Sequence, residues 1–155
     1  MIWEQIDKDL INVEVNATDQ NGVLEVMGRL LIDKGYAKDS YVKALQKRES
    51  ENPTGIDMSG FGIAIPHTDI SHVLKDAIGI GILRKPVKFM AMGTDDEYVE
   101  VSLVFVLSIT DPKAHLDHIQ GILTVLQDKS VLEAIRNSKT PEEIITIIKN
   151  KENPS

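Results

Sequence analysis

The stretch from Tyr98 to Ile109 carries apolar side chains on both sides of an extended chain. Leu103 and Phe105 fall on one side, and Val104 and Val106 fall on the other. A strand that is apolar on both sides has to be covered on both faces, as strands are in the sheets of α/β proteins. The stretch therefore predicts a central strand with helices above and below it.

The remaining patterns place further strands and helices around this one. Alternating or continuous apolar runs predict strands at Ile11 to Val15, Gly62 to Ile65, Ala77 to Leu83 and Val87 to Phe89. Capping residues ahead of apolar stripes predict five helices. These begin at Thr18 or Asp19, at Asp39 or Ser40, at Asp111-Pro112, at a capping box from Ser130 to Glu133, and at a second box from Thr140 to Glu143.

The order of these elements is strand, two helices, several strands and three helices. It predicts an α/β fold with one three-layer domain, in which a mixed β-sheet of about five strands has helices on both faces. We expect this domain to occupy residues 1–150 and the tail at 151–155 to be frayed.

Composition limits the class of protein. The chain of 155 residues has a formal net charge of −7, and Lys47-Arg48 is its main basic cluster, so we expect no binding to nucleic-acid phosphates. No apolar run approaches the roughly 18 residues of a membrane span, and the N-terminus does not resemble a secretion signal. We therefore expect a cytoplasmic protein without direct membrane insertion. The absence of cysteine excludes disulfides, thiolate metal ligands and a cysteine nucleophile.

His67 stands directly behind Pro66, at the end of the short apolar strand predicted for Gly62 to Ile65. Because proline has no N–H to donate to a ladder, strand pairing should stop there and the histidine should emerge at the end of the sheet. Functional sites of α/β proteins often lie at such strand ends. The preceding segment, 50–59, contains Asn-Pro and Thr-Gly signals and predicts a loop. A turn histidine without a role is the alternative interpretation.

The four histidines fall into two pairs, His67 with His72 and His115 with His118. One interpretation is a metal site, because imidazole and carboxylate groups bind divalent metals. Its ligands would be His67, Asp69 and His72, with one more from His115 or His118. In the other interpretation His67 is a nucleophile, because a neutral imidazole can attack phosphorus and carry a phosphoryl group covalently. Nearby donors can then neutralise the phosphoryl oxygens without a metal.

The segment Gly62-Ile63-Ala64-Ile65-Pro66-His67 resembles the phosphorylation-site signature of a known family. The family comprises the enzyme IIA domains of the bacterial phosphoenolpyruvate-dependent sugar phosphotransferase system, in the fructose, mannitol and nitrogen-regulatory superfamily. The similarity extends over most of the chain. It includes Lys47-Arg48-Glu49-Ser50, Pro53-Thr54-Gly55-Ile56, Pro66-His67-Thr68-Asp69, Pro86-Val87 with Phe89, Met92-Gly93, and the helix at His115-Leu116.

The resemblance implies roles for particular residues. His67 would accept a phosphoryl group from the phosphocarrier HPr and pass it to an enzyme IIB partner, while the membrane IIC component would be involved only indirectly. Arg48 matches the family's active-site arginine and would donate to the phosphoryl oxygens. His115 matches a second active-site histidine, with His118 as the competing assignment. No cofactor or metal is implied.

Other interpretations remain open on the sequence alone. The Pro-Thr-Gly-Ile and Pro-His-Thr-Asp combination most resembles galactitol-type members, so we expect galactitol or a related sugar or polyol as the substrate of the transport system. The hydroxyls of Thr54 and Thr68 could donate to phosphate, or they could be solvated or capping groups. A regulatory module of the nitrogen-related type and a metal-dependent hydrolase using His67, Asp69 and His72 are the alternative functions.

Overall fold

The computed structural model describes residues 2–58 and 60–153, apart from the side chains of Pro112, Ala114 and His115. The strands are β1 (Ile11–Asn12), β2 (Gly55–Met58), β3 (Phe61–Ala64), β4 (Ala77–Met90) and β5 (Tyr98–Ser108). The α-helices are α1 (Gln20–Asp33), α2 (Tyr41–Glu51), α3 (Pro112–Leu126), α4 (Lys129–Arg136) and α5 (Pro141–Glu152). Short 3-10 turns lie at Ile2–Gln5, Lys8–Leu10 and Ile70–His72. Within these ranges, no helix is both long and apolar enough to cross a lipid bilayer.

The strands form one mixed five-stranded sheet in the order β1, β4, β5, β3, β2. The central strand β5 is antiparallel to β4 and parallel to β3. At the two edges, β1 is parallel to β4, and β2 is antiparallel to β3. Residues 101–108 of β5 are all buried, which agrees with a strand covered on both faces.

Helices cover both faces of the sheet, and each face has its own apolar core. On one face, α1 and α2 pack against the sheet through residues such as Met27 and Leu45, which join Val104 of β5. On the other face, α3, α4 and α5 pack against the sheet, with Ile122 and Phe105 in the same cluster. The predicted α/β fold, with three layers and a mixed sheet of about five strands, is confirmed.

The loop predicted at 50–59 is wrong in its second half, where Gly55–Met58 form the edge strand β2. Its alternation of apolar and polar residues is too short to distinguish a strand from a loop by periodicity. Met58 pairs with Phe61, so β2 and β3 form a hairpin. A Cβ atom on Gly55 would lie 2.7 Å from the carbonyl oxygen of Met90. This glycine allows close backbone packing in the sheet.

Two other strands differ in length from the prediction. β1 ends at Asn12, where Asn12 Oδ1 accepts a hydrogen bond from the Glu14 N–H at 2.9 Å. This local turn interrupts the ladder, although the Val15 N–H still donates to the Ile82 carbonyl oxygen of β4 at 2.9 Å. The separate strand predicted at 87–89 is the second part of the long strand β4. A register shift between Ile82 and Val87 separates the two parts, and such a bulge hides the continuity of a strand.

The predicted start of α4 at a Ser130 capping box is wrong, because Asp128 caps this helix. The Asp128 carboxylate accepts hydrogen bonds from the Ser130 N–H at 2.9 Å and from the Ser130 hydroxyl at 2.6 Å. A charged acceptor forms stronger hydrogen bonds to a helix N-terminus than a neutral hydroxyl. The Ser130 side chain therefore donates to the cap.

Helix α5 begins as predicted, with Thr140 accepting a hydrogen bond from the Glu143 N–H at 3.3 Å. The helix continues through Glu152, two residues into the segment predicted as a frayed tail. The Glu152 carboxylate accepts hydrogen bonds from the backbone N–H groups of Ile2 at 3.0 Å and Trp3 at 2.9 Å. The last turn of α5 thus holds the N-terminal turn of the chain.

Candidate functional site

The carboxyl end of β3 delivers His67 to the surface of the sheet. β3 ends at Ala64, and the Pro66 carbonyl oxygen accepts a hydrogen bond from the Leu107 N–H of β5 at 3.0 Å. A Cβ atom on Gly62 would lie 1.9 Å from the Glu100 carbonyl oxygen, so glycine is needed for β3 to approach β5. His67 follows as a half-buried side chain at the strand end, which is the position that the sequence predicts.

The ring of His67 is held by its own strand. Its Nδ1 atom lies 2.9 Å from the carbonyl oxygen of Ile65. Because a carbonyl oxygen can only accept a hydrogen bond, Nδ1 carries the proton in this contact. In the neutral ring the lone pair is then on Nε2. The contact therefore assigns the basic lone pair of the neutral His67 ring to Nε2.

A buried carboxyl group lies one turn from the end of α2. Glu49 is 2% exposed, and its carboxylate accepts hydrogen bonds from the Thr54 backbone N–H, at 3.1 Å to each oxygen, and from the Thr54 hydroxyl. Desolvation by burial raises the pKa of Glu49 to about 7, although the Thr54 hydrogen bonds and the charge of Arg48 act in the opposite direction.

Thr54 links this carboxyl group to the strand that carries the histidine. It is 3% exposed, and its hydroxyl oxygen accepts a hydrogen bond from the Ile65 N–H at 3.0 Å. The hydroxyl proton is donated to Glu49. The Thr54 hydroxyl is therefore neither solvated nor a helix cap, because it is buried between the Glu49 side chain and the Ile65 N–H. Thr68, the other candidate, donates to the Asp69 carbonyl oxygen at 2.8 Å.

Arg48 is exposed in the last turn of α2 and lines two open cavities. One, of about 640 Å³, also contains His67, Pro53 and Met92 in its wall. The other, of about 420 Å³, is lined by Asp69 and His72 among others. The structure therefore brings Arg48 and His67 to the same cavity, as the family resemblance implies.

Asp69 and His72 lie on the second cavity and are engaged with local groups. The Asp69 carboxylate accepts from the Ser71 N–H at 3.0 Å and from the Ser71 hydroxyl. These hydrogen bonds, with smaller effects of the His72 and Arg48 charges, lower the pKa of Asp69. His72 Nδ1 lies 2.8 Å from the Ser40 hydroxyl oxygen, and its Nε2 lies 3.9 Å from Asp69 Oδ1.

The metal site suggested for His67, Asp69 and His72 is not formed. Among the side chains that the structure describes, no three histidine, aspartate or glutamate residues lie in a group that could hold a metal ion. The reason is geometric, because the His67 ring turns back to its own strand while Asp69 caps the 3-10 turn that contains His72.

Of the two histidines of α3, the structure describes the side chain of His118 and leaves that of His115 undescribed. His118 is 8% exposed, and its Nε2 donates to Gln5 Oε1 at 2.7 Å. It therefore faces the N-terminal turn and is absent from the wall of the cavity that contains His67. The side chain of His115 lies outside the described part of the chain, so its role as the second active-site histidine stays a prediction.

The contribution of Glu49 was missed by the sequence reasoning, which assigned a role only to the neighbouring Arg48. A signal was available in the helical periodicity. Tyr41, Leu45 and Glu49 are spaced by four residues and share one buried side of α2. A carboxylate on an apolar stripe is uncommon in a helix and points to a buried partner.

Residues 4–151 match the family described as "Phosphoenolpyruvate-dependent sugar phosphotransferase system, EIIA 2". The chain belongs to this family. The resemblance inferred from the sequence motifs is thereby confirmed.

This EIIA chain is similar to two curated relatives. It is 32% identical over 121 residues to the galactitol-specific EIIA component from Escherichia coli (strain K12), covering 78% of this chain and 80% of that one. It is 30% identical over 142 residues to the mannitol-specific enzyme IIA component from Staphylococcus aureus (strain Mu50), covering 91% of this chain and 92% of that one.

The fold of the EIIA chain is also similar to a solved structure. That structure is the complex of mannitol enzyme IIA with phosphorylated enzyme IIB from Escherichia coli. The TM-score is 0.76 at 22% sequence identity, with 94% of this chain and 99% of that chain covered. At this identity the comparison establishes a common fold.

Proposed function

We propose that this EIIA chain is a cytoplasmic phosphohistidine carrier, in which His67 accepts a phosphoryl group from HPr and passes it to enzyme IIB for sugar uptake. The observation that carries the proposal is the 2.9 Å contact between His67 Nδ1 and the Ile65 carbonyl oxygen. It leaves the lone pair on Nε2, which an attack on phosphorus needs. Arg48, in the wall of the same cavity, supplies a cation for the phosphoryl oxygens.

The transfer exchanges one nitrogen–phosphorus bond for another. The bond from phosphorus to the imidazole nitrogen of HPr breaks as the bond from His67 Nε2 to phosphorus forms, and the donor nitrogen recovers its electron pair. The proton on Nδ1 stays in place, and the Ile65 carbonyl oxygen stabilises the positive charge that the ring then shares. Because donor and acceptor are both histidines, catalysis consists mainly of alignment and charge stabilisation.

Exposed apolar side chains, one of them in the cavity wall beside His67 and two in the segment that follows it, support docking of protein partners. Ile70, Leu74 and Met92 are each at least half exposed, and Met92 lines the cavity that contains His67. Exposed apolar groups around a polar site are typical of protein interfaces. We propose that HPr and IIB dock here in turn. The mannitol enzyme IIA of the same fold, solved in complex with phosphorylated IIB, supports the IIB partner.

The relatives favour sugar transport over the regulatory alternative. Both are components of sugar-specific systems, one for galactitol and one for mannitol. We propose that the system transports galactitol or a related sugar or polyol, because the Pro-Thr-Gly-Ile and Pro-His-Thr-Asp motifs resemble the galactitol type. The proposed role of His115 is to donate a hydrogen bond to the phosphoryl group from the first turn of α3.

The proposal is tested by phosphorylation in vitro. Incubation with phosphoenolpyruvate, enzyme I and HPr should increase the intact mass of the wild-type chain by one phosphoryl group. The His67→Ala variant should show no increase. The matched control is His72→Ala, because His72 is also half-buried and lines the adjoining cavity; it should be labelled like the wild type. An unlabelled wild type, or equal labelling of His67→Ala, would refute the proposal.

A second incubation tests the direction of transfer. The phosphorylated chain is mixed with the IIB component of a galactitol or a mannitol system. Loss of the phosphoryl group from the chain, with its gain by IIB, is the expected result. Retention of the group with both IIB proteins would count against the transport role and in favour of the regulatory alternative.

A further inference from the structure

A buried chain of hydrogen bonds connects α2 to the ring of His67. Glu49 accepts from the N–H and the hydroxyl of Thr54, Thr54 Oγ1 accepts from the Ile65 N–H, and the Ile65 carbonyl oxygen accepts from His67 Nδ1. Glu49 and Thr54 are almost fully buried. The Glu49 carboxylate faces Thr54, so it has no direct part in the phosphoryl transfer described above.

We propose that Glu49 is a positioning residue, which acts through Thr54 and the Ile65 backbone to hold His67 as the Nδ1–H tautomer with Nε2 ready to attack. The inference deepens the proposed function and rests on it for its consequence in phosphoryl transfer. The hydrogen-bond geometry itself is independent of that function.

The first step concerns the hydroxyl of Thr54. A hydroxyl group has one proton to donate and lone pairs to accept with. An ionised carboxylate can only accept, so Glu49 takes the Thr54 proton and leaves a hydroxyl lone pair for the Ile65 N–H. Without this acceptor, the hydroxyl could turn its proton towards another group, and the buried Ile65 N–H would lose its partner.

The second step concerns the backbone at the end of β3. Ile65 lies beyond the last residue of the strand, and its N–H is bonded to Thr54 on one side. On the other side, the Pro66 carbonyl oxygen is bonded to the Leu107 N–H of β5. The Ile65 carbonyl group lies between these two fixed points. Its direction towards His67 Nδ1 therefore depends on both of them.

The third step is that a purely structural role would not need a carboxylate. Burying a carboxylate at this site is costly, and desolvation raises the pKa of Glu49 to about 7 although the Thr54 hydrogen bonds and, to a smaller extent, the charge of Arg48 lower it. In its ionised form Glu49 can only accept, so it fixes the direction of the Thr54 hydroxyl proton.

The test reads the tautomer of His67 directly by ¹⁵N NMR of the full chain with labelled histidine. At about pH 8, histidine is neutral and most of Glu49 is ionised. The wild-type ring should be in the Nδ1–H form. Glu49→Gln and Thr54→Val should each populate the Nε2–H form and slow phosphorylation by HPr by roughly 10- to 100-fold, as expected for a misplaced reacting group.

Two control variants separate positioning from other effects. Thr54→Ser keeps the hydroxyl group and should restore both the Nδ1–H tautomer and most of the rate. Glu25→Gln removes the same charge from an exposed position on α1, outside the two cavities that Arg48 lines, and should leave the His67 tautomer unchanged. Circular dichroism of each variant confirms that the comparison is made between folded proteins.

Each remaining outcome decides the inference. An Nε2–H tautomer in the wild type would overturn it with no substitution needed. An unchanged tautomer in both Glu49→Gln and Thr54→Val would also overturn it, even if the rate fell, because the loss would then be structural or electrostatic. The tautomer is measured without HPr, so a wild type that is not phosphorylated would count against the proposed function and leave this measurement valid.

Discussion

His67 and His72 are five positions apart, and the cavities they line meet at Arg48, yet the structure treats their rings differently. His67 Nδ1 is bonded to a backbone carbonyl oxygen, which can only accept. His72 Nδ1 is bonded to the Ser40 hydroxyl, which can donate or accept. The first contact selects one tautomer, and the second allows either. The backbone partner at the strand end thus fixes the tautomer of His67, whereas the hydroxyl partner leaves the tautomer of His72 open.

The groups that contact the two rings also differ in burial. Ile65, which holds His67, is itself supported by the buried Thr54 and Glu49. Ser40, which contacts His72, is exposed at the start of α2. We therefore expect substitutions on the His67 side to affect both stability and transfer. Substitutions on the His72 side should have small effects.

The largest expected effect is on the phosphorylation rate when Arg48, which lines both cavities, is substituted. Arg48→Gln should slow phosphorylation of His67 by about 100- to 1,000-fold, the range for loss of a donor to a charged transition state. The control is Lys47→Gln, which removes the adjacent cation; Lys47 lines only the His72 cavity of the two and should change the rate by less than about threefold. Rates are measured by the transfer of labelled phosphate from HPr. Similar losses in both variants would show that general charge, and not the His67 cavity, is responsible.

The next effect is on the free energy of unfolding, which should depend on pH through the ionisation of Glu49. Its pKa is raised from 4.5 to about 7 in the folded chain, so the folded state binds more protons than the unfolded state between these values. The stabilising contribution is complete below the unfolded pKa and is lost as pH rises through about 7. The free energy of unfolding should fall across this window by on the order of 3 kcal/mol relative to Glu49→Gln.

This slope is measured by urea unfolding at a series of pH values. Asp69, on the His72 side, is expected to act in the opposite direction, because hydrogen bonds from Ser71 lower its pKa. Its contribution is present above the ordinary aspartate value and is lost as pH falls. A wild type and a Glu49→Gln variant with parallel pH profiles would contradict the assignment of a raised pKa to Glu49.

A smaller effect is expected for the two hydroxyl groups that support the histidines. Thr54→Val removes the hydroxyl donor to the Glu49 carboxylate, which keeps only the backbone N–H of residue 54, and leaves the Ile65 N–H without its acceptor. The change should cost about 1–3 kcal/mol of unfolding free energy. Ser40→Ala, at an exposed position, should change it by less than about 0.5 kcal/mol. Chemical denaturation of both variants gives the comparison. Equal losses would remove the distinction between a buried and an exposed support.

The smallest expected effect is a change in the NMR resonances of the His72 ring alone. Ser40→Ala should shift the ring-nitrogen resonances of His72 and leave those of His67 and its phosphorylation rate unchanged. The physical reason is that only His72 contacts the Ser40 hydroxyl, among the contacts described. Histidine ¹⁵N spectra provide the measurement. A matching shift at His67 would show that the two rings are coupled.

Much of the fold could be predicted from the sequence because β5 carries an unambiguous pattern. Its burial on both faces specifies the three layers, and Pro66 specifies where pairing ends before His67. The edge strand β2 could not be predicted in this way. Its four residues contain a glycine and an aspartate, and it forms because β3 offers a partner. The periodicity of apolar residues indicates which side chains are buried. It says little about the backbone pairing of a half-exposed edge strand.

The positions of the candidate residues could be predicted in part. The strand end predicted where His67 emerges, and the family resemblance implied that Arg48 lies on the same site, which agrees with their shared cavity; their roles stay predictions. Glu49 was overlooked because charged residues in a last helical turn usually face solvent. Its burial depends on Thr54, which follows after a turn of the chain. Such a contact is a property of the tertiary structure. The only sign of it in the sequence is that Glu49 follows the apolar Leu45 by four residues.

The central claim is that His67 carries the phosphoryl group on Nε2, because Nδ1 is committed to the Ile65 carbonyl oxygen. The most direct measurement is a phosphorus–nitrogen NMR correlation of the chain after phosphorylation by HPr, with histidine ¹⁵N labels assigned by the His67→Ala and His72→Ala variants. We expect phosphorus to be bonded to Nε2 of His67. A phosphoryl group on Nδ1 of His67, or on His72, would contradict the account.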